Sequence, residues 1–70
     1  QAAAFAEQLV DEPADQRLTM AFQKLFQRAP VDPERTIAER FLNEYPGDEL
    51  DRWAAYARVL MASNEFLFVD

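Results

Sequence analysis

The residues of this chain best spaced for chemistry are its acids. Asp11 with Asp15, and Asp48 with Asp51, are spaced so that each pair shares a helix face. Two carboxylates facing each other across a cleft can act as general acid and base, and glycoside hydrolysis uses such a pair. Each of these acids also stands at or near a helix start, where side-chain capping and the macrodipole favour negative charge. Capping is the simpler reading of these four acids. A calcium loop would need alternating oxygen ligands, a glycine at its sharp turn and a closing Glu. Gly47-Asp48-Glu49-Leu50-Asp51 does not supply that series.

His and Cys are both missing. Within these residues that excludes a Cys/His zinc site, covalent c-type haem attachment, a Cys nucleophile and a Ser-His-Asp triad. A single Gly leaves no phosphate-cradling loop. No catalytic, cofactor-binding or metal-ligating residue is assigned, and the expectation is a protein that is not an enzyme and carries no cofactor. Thirteen Asp and Glu oppose seven Lys and Arg, a net charge of −6, which argues against nucleic acid as a partner because that binding needs cations to displace counterions.

Half of the 70 residues are hydrophobic, too many for a disordered acidic tail. The expectation for 1–70 is one helical domain near the lower size limit for independent folding. No apolar run approaches the roughly 18 to 20 residues of a membrane span, and no basic segment followed by an apolar core marks a signal peptide. The chain opens on Gln rather than Met, the expectation being a piece of a larger protein.

Four helical segments must position whatever the chain does. The first is predicted over roughly Ala2 to Val10, with Phe5 and Leu9 four apart. Asp11-Glu12-Pro13 reads as the opening of the second helix, about Ala14 to Ala29. That helix carries Leu18, Ala21, Phe22, Leu25, Phe26 and Ala29 on one stripe, and Asp15, Arg17, Gln23, Lys24 and Gln27 on its polar face. Pro30 stops it. Asp32-Pro33-Glu34 restarts the chain with a capping side chain, a proline and a first-turn acid, and Ile37, Ala38, Phe41, Leu42 and Tyr45 form the buried face of the third helix. After Tyr45-Pro46-Gly47, Asp48 caps the fourth helix, with Asp51 as an acidic partner in a capping box. Leu50, Trp53, Ala54, Ala57, Leu60 and Met61 make its apolar stripe with Tyr56 on the edge, Ser63-Asn64 stops it, and Phe66-Leu67-Phe68-Val69 follow as an apolar tail. The fold class predicted is all-α, a compact bundle or orthogonal array of three to four helices.

Phe5, Phe22, Phe26, Phe41 and Trp53 fall on the stripes that must meet, so core packing accounts for them. Tyr45 and Tyr56 each carry a hydroxyl that needs a polar partner or water. Four consecutive apolar residues at Phe66, Leu67, Phe68 and Val69 cannot all face one small core. Either they fold back over the bundle or they form a docking surface.

Two stretches resemble a known family. Arg28-Ala29-Pro30-Val31-Asp32-Pro33-Glu34 is similar to a "GR-x-P-T-x-x-E" helix junction, and the stretch from Leu60 through Ser63-Asn64-Glu65-Phe66 to Asp70 is similar to an "LLNSNEFLYVD" ending. Both motifs, in this order and with Trp53 between them, resemble the C-terminal end of the planctomycete-specific domain of unknown function that accompanies cytochrome-c-like domains. The resemblance covers about Arg17 to Asp70. Gln27 stands where the family has Gly, Val31 where it has Thr or Ser, and Ala62 where it has Asn; Asp32 is then the expected cap. The resemblance implies a C-terminal subdomain of a large exported protein of the bacterial cell envelope or periplasm, with any haem ligands elsewhere. Recurrence of the two motifs together suggests a latch, in which Arg28 bridges to Glu65 or caps the carbonyls near Ser63-Asn64.

Two functions follow as expectations. The first is a non-catalytic structural or interaction subdomain that docks other domains of its parent, or a protein partner, through Phe66–Val69, with self-association open in isolation. The alternative is a small carbohydrate- or peptide-binding module built on Tyr45, Trp53 and Tyr56, which requires at least two of those rings to lie exposed on one surface.

Overall fold

A computed structural model describes residues 1–67, with side chains described for 1–63; 68–70, including Phe68 and Val69 of the predicted docking tail, lie outside the described residues. Four α-helices are present among them: α1 (Ala2–Val10), α2 (Arg17–Phe26), α3 (Asp32–Glu44) and α4 (Glu49–Leu67), with a 3-10 turn at Ala14–Gln16 before α2. The all-α reading holds, and the described residues contain no strand. A radius of gyration of 11.4 Å matches the roughly 11 Å of a folded domain this long. No helix is long and apolar enough to cross a membrane among the described residues.

Two helix boundaries depart from the sequence reading, each for a local reason. The second helix does not run from Ala14 to Ala29. Pro13 accepts a hydrogen bond at its carbonyl from the Gln16 amide at 2.9 Å, which sets a tight 3-10 turn before the α-helix proper. At the other end Gln27 adopts a left-handed conformation (φ 59, ψ 36), so the helix closes at Phe26 and Ala29 is an exposed residue of the turn. The fourth helix does not stop at Ser63-Asn64; it continues through Leu67, so Phe66 and Leu67 follow within the helix.

Helix starts are built largely from side chains. Asp48 Oδ1 accepts from the Asp51 amide at 2.9 Å and Asp51 Oδ2 accepts from the Asp48 amide at 3.2 Å, the reciprocal box the sequence predicts. Gly47, at φ +111, makes this entry fit, because a Cβ there would lie within 2.8 Å of the Asp51 side chain. Asp11 is a correction. It is the C-cap of α1, whereas Asp15 lies in the 3-10 turn; the two share no helix face.

α4 is the hub. α1 makes the most extensive contact with it, and α2 and α3 also pack on it. Ala6, Ala21, Ala38 and Ala57 are fully buried. Small residues at these points let the helix axes approach while the bulk of Leu9, Phe22, Trp53, Tyr56 and Leu60 fills the space between. Two other assignments change here. Tyr56 is at the centre of the α4 stripe rather than its edge, whereas Leu50 is exposed. Ile37, expected to be buried, is 66% exposed; in α3 the inward positions are taken by Ala38, with Phe41 and Leu42 partly buried against the core.

The largest correction concerns Arg17, which the helical pattern assigns to a polar face and which is buried. Its guanidinium donates to the Val10 carbonyl at 3.0 Å and the Glu12 carbonyl at 2.9 Å, and pairs with Glu49 in the first turn of α4. The Val10 carbonyl at the end of α1 has no partner within its own helix, so one cation closes α1, holds the Glu12 carbonyl just beyond it and ties both to α2 and α4. Glu49 is 61% exposed at its side chain, so its share of the interaction is screened by water. Arg17→Ala is expected to lower stability by about 2 kcal/mol, because it removes charged hydrogen bonds at a buried position. Glu49→Gln is expected to lower it by less than about 1 kcal/mol. Urea unfolding of the two variants beside the parent chain checks the order; equal losses would place the stabilisation in the ion pair rather than in the carbonyl clasp.

Candidate functional site: an apolar groove beside the α2–α3 junction

The junction between α2 and α3 is a short turn held by one arginine. Arg28 Nη1 and Nη2 donate to the two carboxylate oxygens of Glu34, each at 2.8 Å, and Nη1 also donates to the Ala29 carbonyl at 3.1 Å. The guanidinium carbon lies 5.5 Å from the Phe22 ring centre and 5.8 Å from that of Phe26, within reach of a cation–π attraction. Glu34 Oε1 accepts in addition from the Val31 amide at 2.9 Å, and the Val31 carbonyl accepts from the Arg35 amide at 3.0 Å. Val31 is therefore the N-cap of α3 and Asp32 its first helical residue, which corrects the assignment of the cap to Asp32. Half of a capping box is present: Glu34 reaches back, but a valine side chain has no oxygen to return the bond.

Electrostatics follow this geometry. The Arg28 hydrogen bonds, then the Val31 amide, hold the Glu34 carboxyl down at about 2 from an ordinary value of 4.5. The Arg28 guanidinium is raised in turn, chiefly by its hydrogen bond to Glu34. Across the groove, burial pushes the Tyr56 hydroxyl up to about 12, with a smaller contribution from the Glu34 charge.

Beside this junction is a groove of about 690 Å³. Phe22, Leu25 and Phe26 of α2, Ile37 of α3, and Tyr56, Val59 and Leu60 of α4 form its apolar lining, while Gln27, Arg28, Glu34 and Ser63 supply the polar atoms. Ile37 and Val59 are exposed, at 66% and 47%. Aliphatic side chains left in water at that level on facing helices are the surface feature that marks this end of the molecule.

The sequence-predicted site residues fall unevenly on this geometry. Arg28 and Ser63 line the same groove. The bonds that Arg28 makes among the described residues go to Glu34 and Ala29, and the side chains of Asn64 and Glu65 lie outside the described residues. Ser63 and Asn64 are inside α4, not at its end, so their carbonyls do not form the helix terminus of the capping form of the latch; its other form, a bridge from Arg28 to Glu65, falls on a side chain outside the described residues. Of the docking residues, Phe66 and Leu67 belong to the helix, their side chains outside the described set. The aromatic platform is not formed. Trp53 and Tyr56 are buried at 7% and 4% exposure and meet edge-on at 5.9 Å, and Tyr45 stacks on Phe41 at 5.5 Å. With two of its three rings in the core, the binding module based on Tyr45, Trp53 and Tyr56 has no exposed face to offer.

Sequence reasoning missed Ile37, Val59 and Arg17. Arg17 had a signal, because it precedes Ala21 by four residues and so shares the apolar stripe. Ile37 and Val59 had none. No group of acids capable of holding a metal comes together among the described residues. No protein-family model, curated protein or solved structure matches the chain.

Two outcomes test the junction. Gln27→Gly relieves a left-handed L-residue and Val31→Thr supplies the missing half of the box; each is expected to raise stability by about 0.5–1 kcal/mol, read from the urea midpoint. A fall on either substitution would show that the junction is not in this conformation. The depressed Glu34 carboxyl also sets a pH dependence. The unfolded chain takes up this proton near pH 4.5 and the folded chain only near 2, so the stabilisation is complete above about pH 4.5 and is lost as pH falls toward 2. Glu34→Gln is expected to remove that segment of the acid-stability profile and leave the neutral-pH slope unchanged.

Proposed function

We propose that the chain is a non-catalytic helical structural or interaction subdomain, docking another part of its parent protein through the apolar end formed by the groove and the Phe66–Val69 segment. The observation that carries this is the groove itself, with Ile37 and Val59 exposed on facing helices. Its charged groups are an arginine and a glutamate already committed to each other, a reading that leaves no free charged side chain in the groove to act on a substrate. The resemblance of the two sequence motifs to the planctomycete domain supports reading that parent as a cell-envelope protein. The junction adds support of a physical kind: the left-handed residue and the N-cap of α3 fall at the positions where that family has Gly and Thr, residues suited to those two conformations.

Methyl NMR and amide exchange of the chain alone, and of the chain joined to the neighbouring domains of its parent, test the reading. Shifted methyl signals and slowed exchange confined to Ile37, Val59 and their surroundings are expected in the joined form. Spectra that superimpose at those residues would overturn it.

A further inference from the structure

Tyr56 carries a polar atom that the fold leaves unused. Its ring is spent on packing: the residue is 4% exposed and meets Phe41 at 5.5 Å and Trp53 edge-on at 5.9 Å. The hydroxyl oxygen is placed differently. It has no hydrogen-bond partner among the described residues, and none of their side-chain nitrogens or oxygens is both buried and unpartnered. The oxygen is therefore open to water, and the opening is the groove that Tyr56 lines. With its pKa pushed up to about 12, the hydroxyl stays a donor at neutral pH. Phe22, Phe26, Ile37, Val59 and Leu60 line the same groove with carbon. Its volume of about 690 Å³ falls in the range that holds small organic ligands.

We propose that the groove is a binding site for a neutral, largely apolar small molecule with a carbonyl oxygen that accepts a hydrogen bond from the Tyr56 hydroxyl. Of the polar lining residues, Gln27 and Ser63 are exposed and Arg28 is paired with Glu34, which leaves Tyr56 as the buried anchor. A hydrocarbon entering the groove strips the hydroxyl of water and leaves a buried donor unmade, which is costly; a carbonyl restores the bond. Charge narrows the class further. Arg28 and Glu34 share two hydrogen bonds of 2.8 Å, so the charges of the groove cancel. An anion is repelled by the net −6 of the chain, and a cation finds no unpaired carboxylate in the lining to receive it. The ligand is distinct from a docked domain, although both readings rest on the groove being an open apolar surface.

Methyl NMR titration of the full chain with acetophenone tests this, beside α-methylstyrene, which has a methylene group in place of the carbonyl oxygen. Expected are saturable acetophenone shifts centred on the Ile37 and Val59 methyls, with nuclear Overhauser contacts from the probe to the Tyr56 ring. In Tyr56→Phe the acetophenone affinity is expected to fall about three- to tenfold, the worth of one neutral hydrogen bond. The same variant is expected to bind α-methylstyrene as well as before or better. Because the hydroxyl has no partner among the described residues, the urea midpoint of Tyr56→Phe is expected to stay level. The contacts are read on the unaltered chain, so the test stands even where the variant fails to fold. Absence of saturable shifts or of contacts to Tyr56 overturns the proposal, as does an equal effect of Tyr56→Phe on both probes. The two readings fail separately. Equal binding of both probes at Ile37 and Val59 removes the anchor and leaves the docking surface, whereas unchanged methyl signals on joining the neighbouring domains remove docking and leave the ligand site.

Discussion

Arg17 solves a problem that the first helix cannot solve alone. α1 is nine residues long and ends on an aspartate with no basic residue in its last turn, a length and a terminus that would not hold a helix in water. The guanidinium from the start of α2 supplies the missing positive charge and donates to the Val10 and Glu12 carbonyls. Being buried, it must have its hydrogen-bonding capacity met by fixed partners, so its position and the path of the chain from Val10 to Arg17 determine each other. The pairing with Glu49 brings in the start of α4. With that corner set, Ala6 and Leu9 join the cluster that contains Trp53 and Leu60, and the most extensive helix contact of the fold follows.

The opposite end of the molecule is organised by a second arginine under different conditions. Arg28 is half exposed, at 49%, and is held by geometry more than by burial: two parallel bonds to Glu34 and two aromatic faces beneath it. It spans a turn whose backbone is costly at Gln27 and incompletely capped at Val31. The stitch compensates for both. It also leaves the two charged residues that line the groove, Arg28 and Glu34, paired with each other.

These two arginines separate a closed end from an open one. Around Arg17 the start of α2, the chain after α1 and the start of α4 are tied together. Around Arg28 the α3 helix directs Ile37 outward, and a groove remains between α2, α3 and α4. Most of the aromatic residues are spent on packing, and the exposed aliphatic side chains Ile37 and Val59 are left at the groove.

Much of this was legible in residue types and spacing. Helical class, the number of helices, the Asp48–Asp51 box and most of the core of α2 and α4 follow from local rules: a period near 3.6, proline at helix starts and an acid at the start of α4. Those rules act over a few residues, so the chain states them by itself. Other features depend on partners distant in sequence. Arg17 is buried because the Val10 and Glu12 carbonyls and a carboxylate of α4 converge on it, 32 residues separating Arg17 from Glu49. Ile37 is exposed and Tyr56 buried because helix rotation is set by where four alanines permit close approach, and the intrinsic pattern of α3 leaves that rotation open. The sequence by itself determined four helices and where most of them begin. Only the tertiary structure decided which faces turn inward and which cation is desolvated, because burial is a property of the packed assembly and not of any one helix.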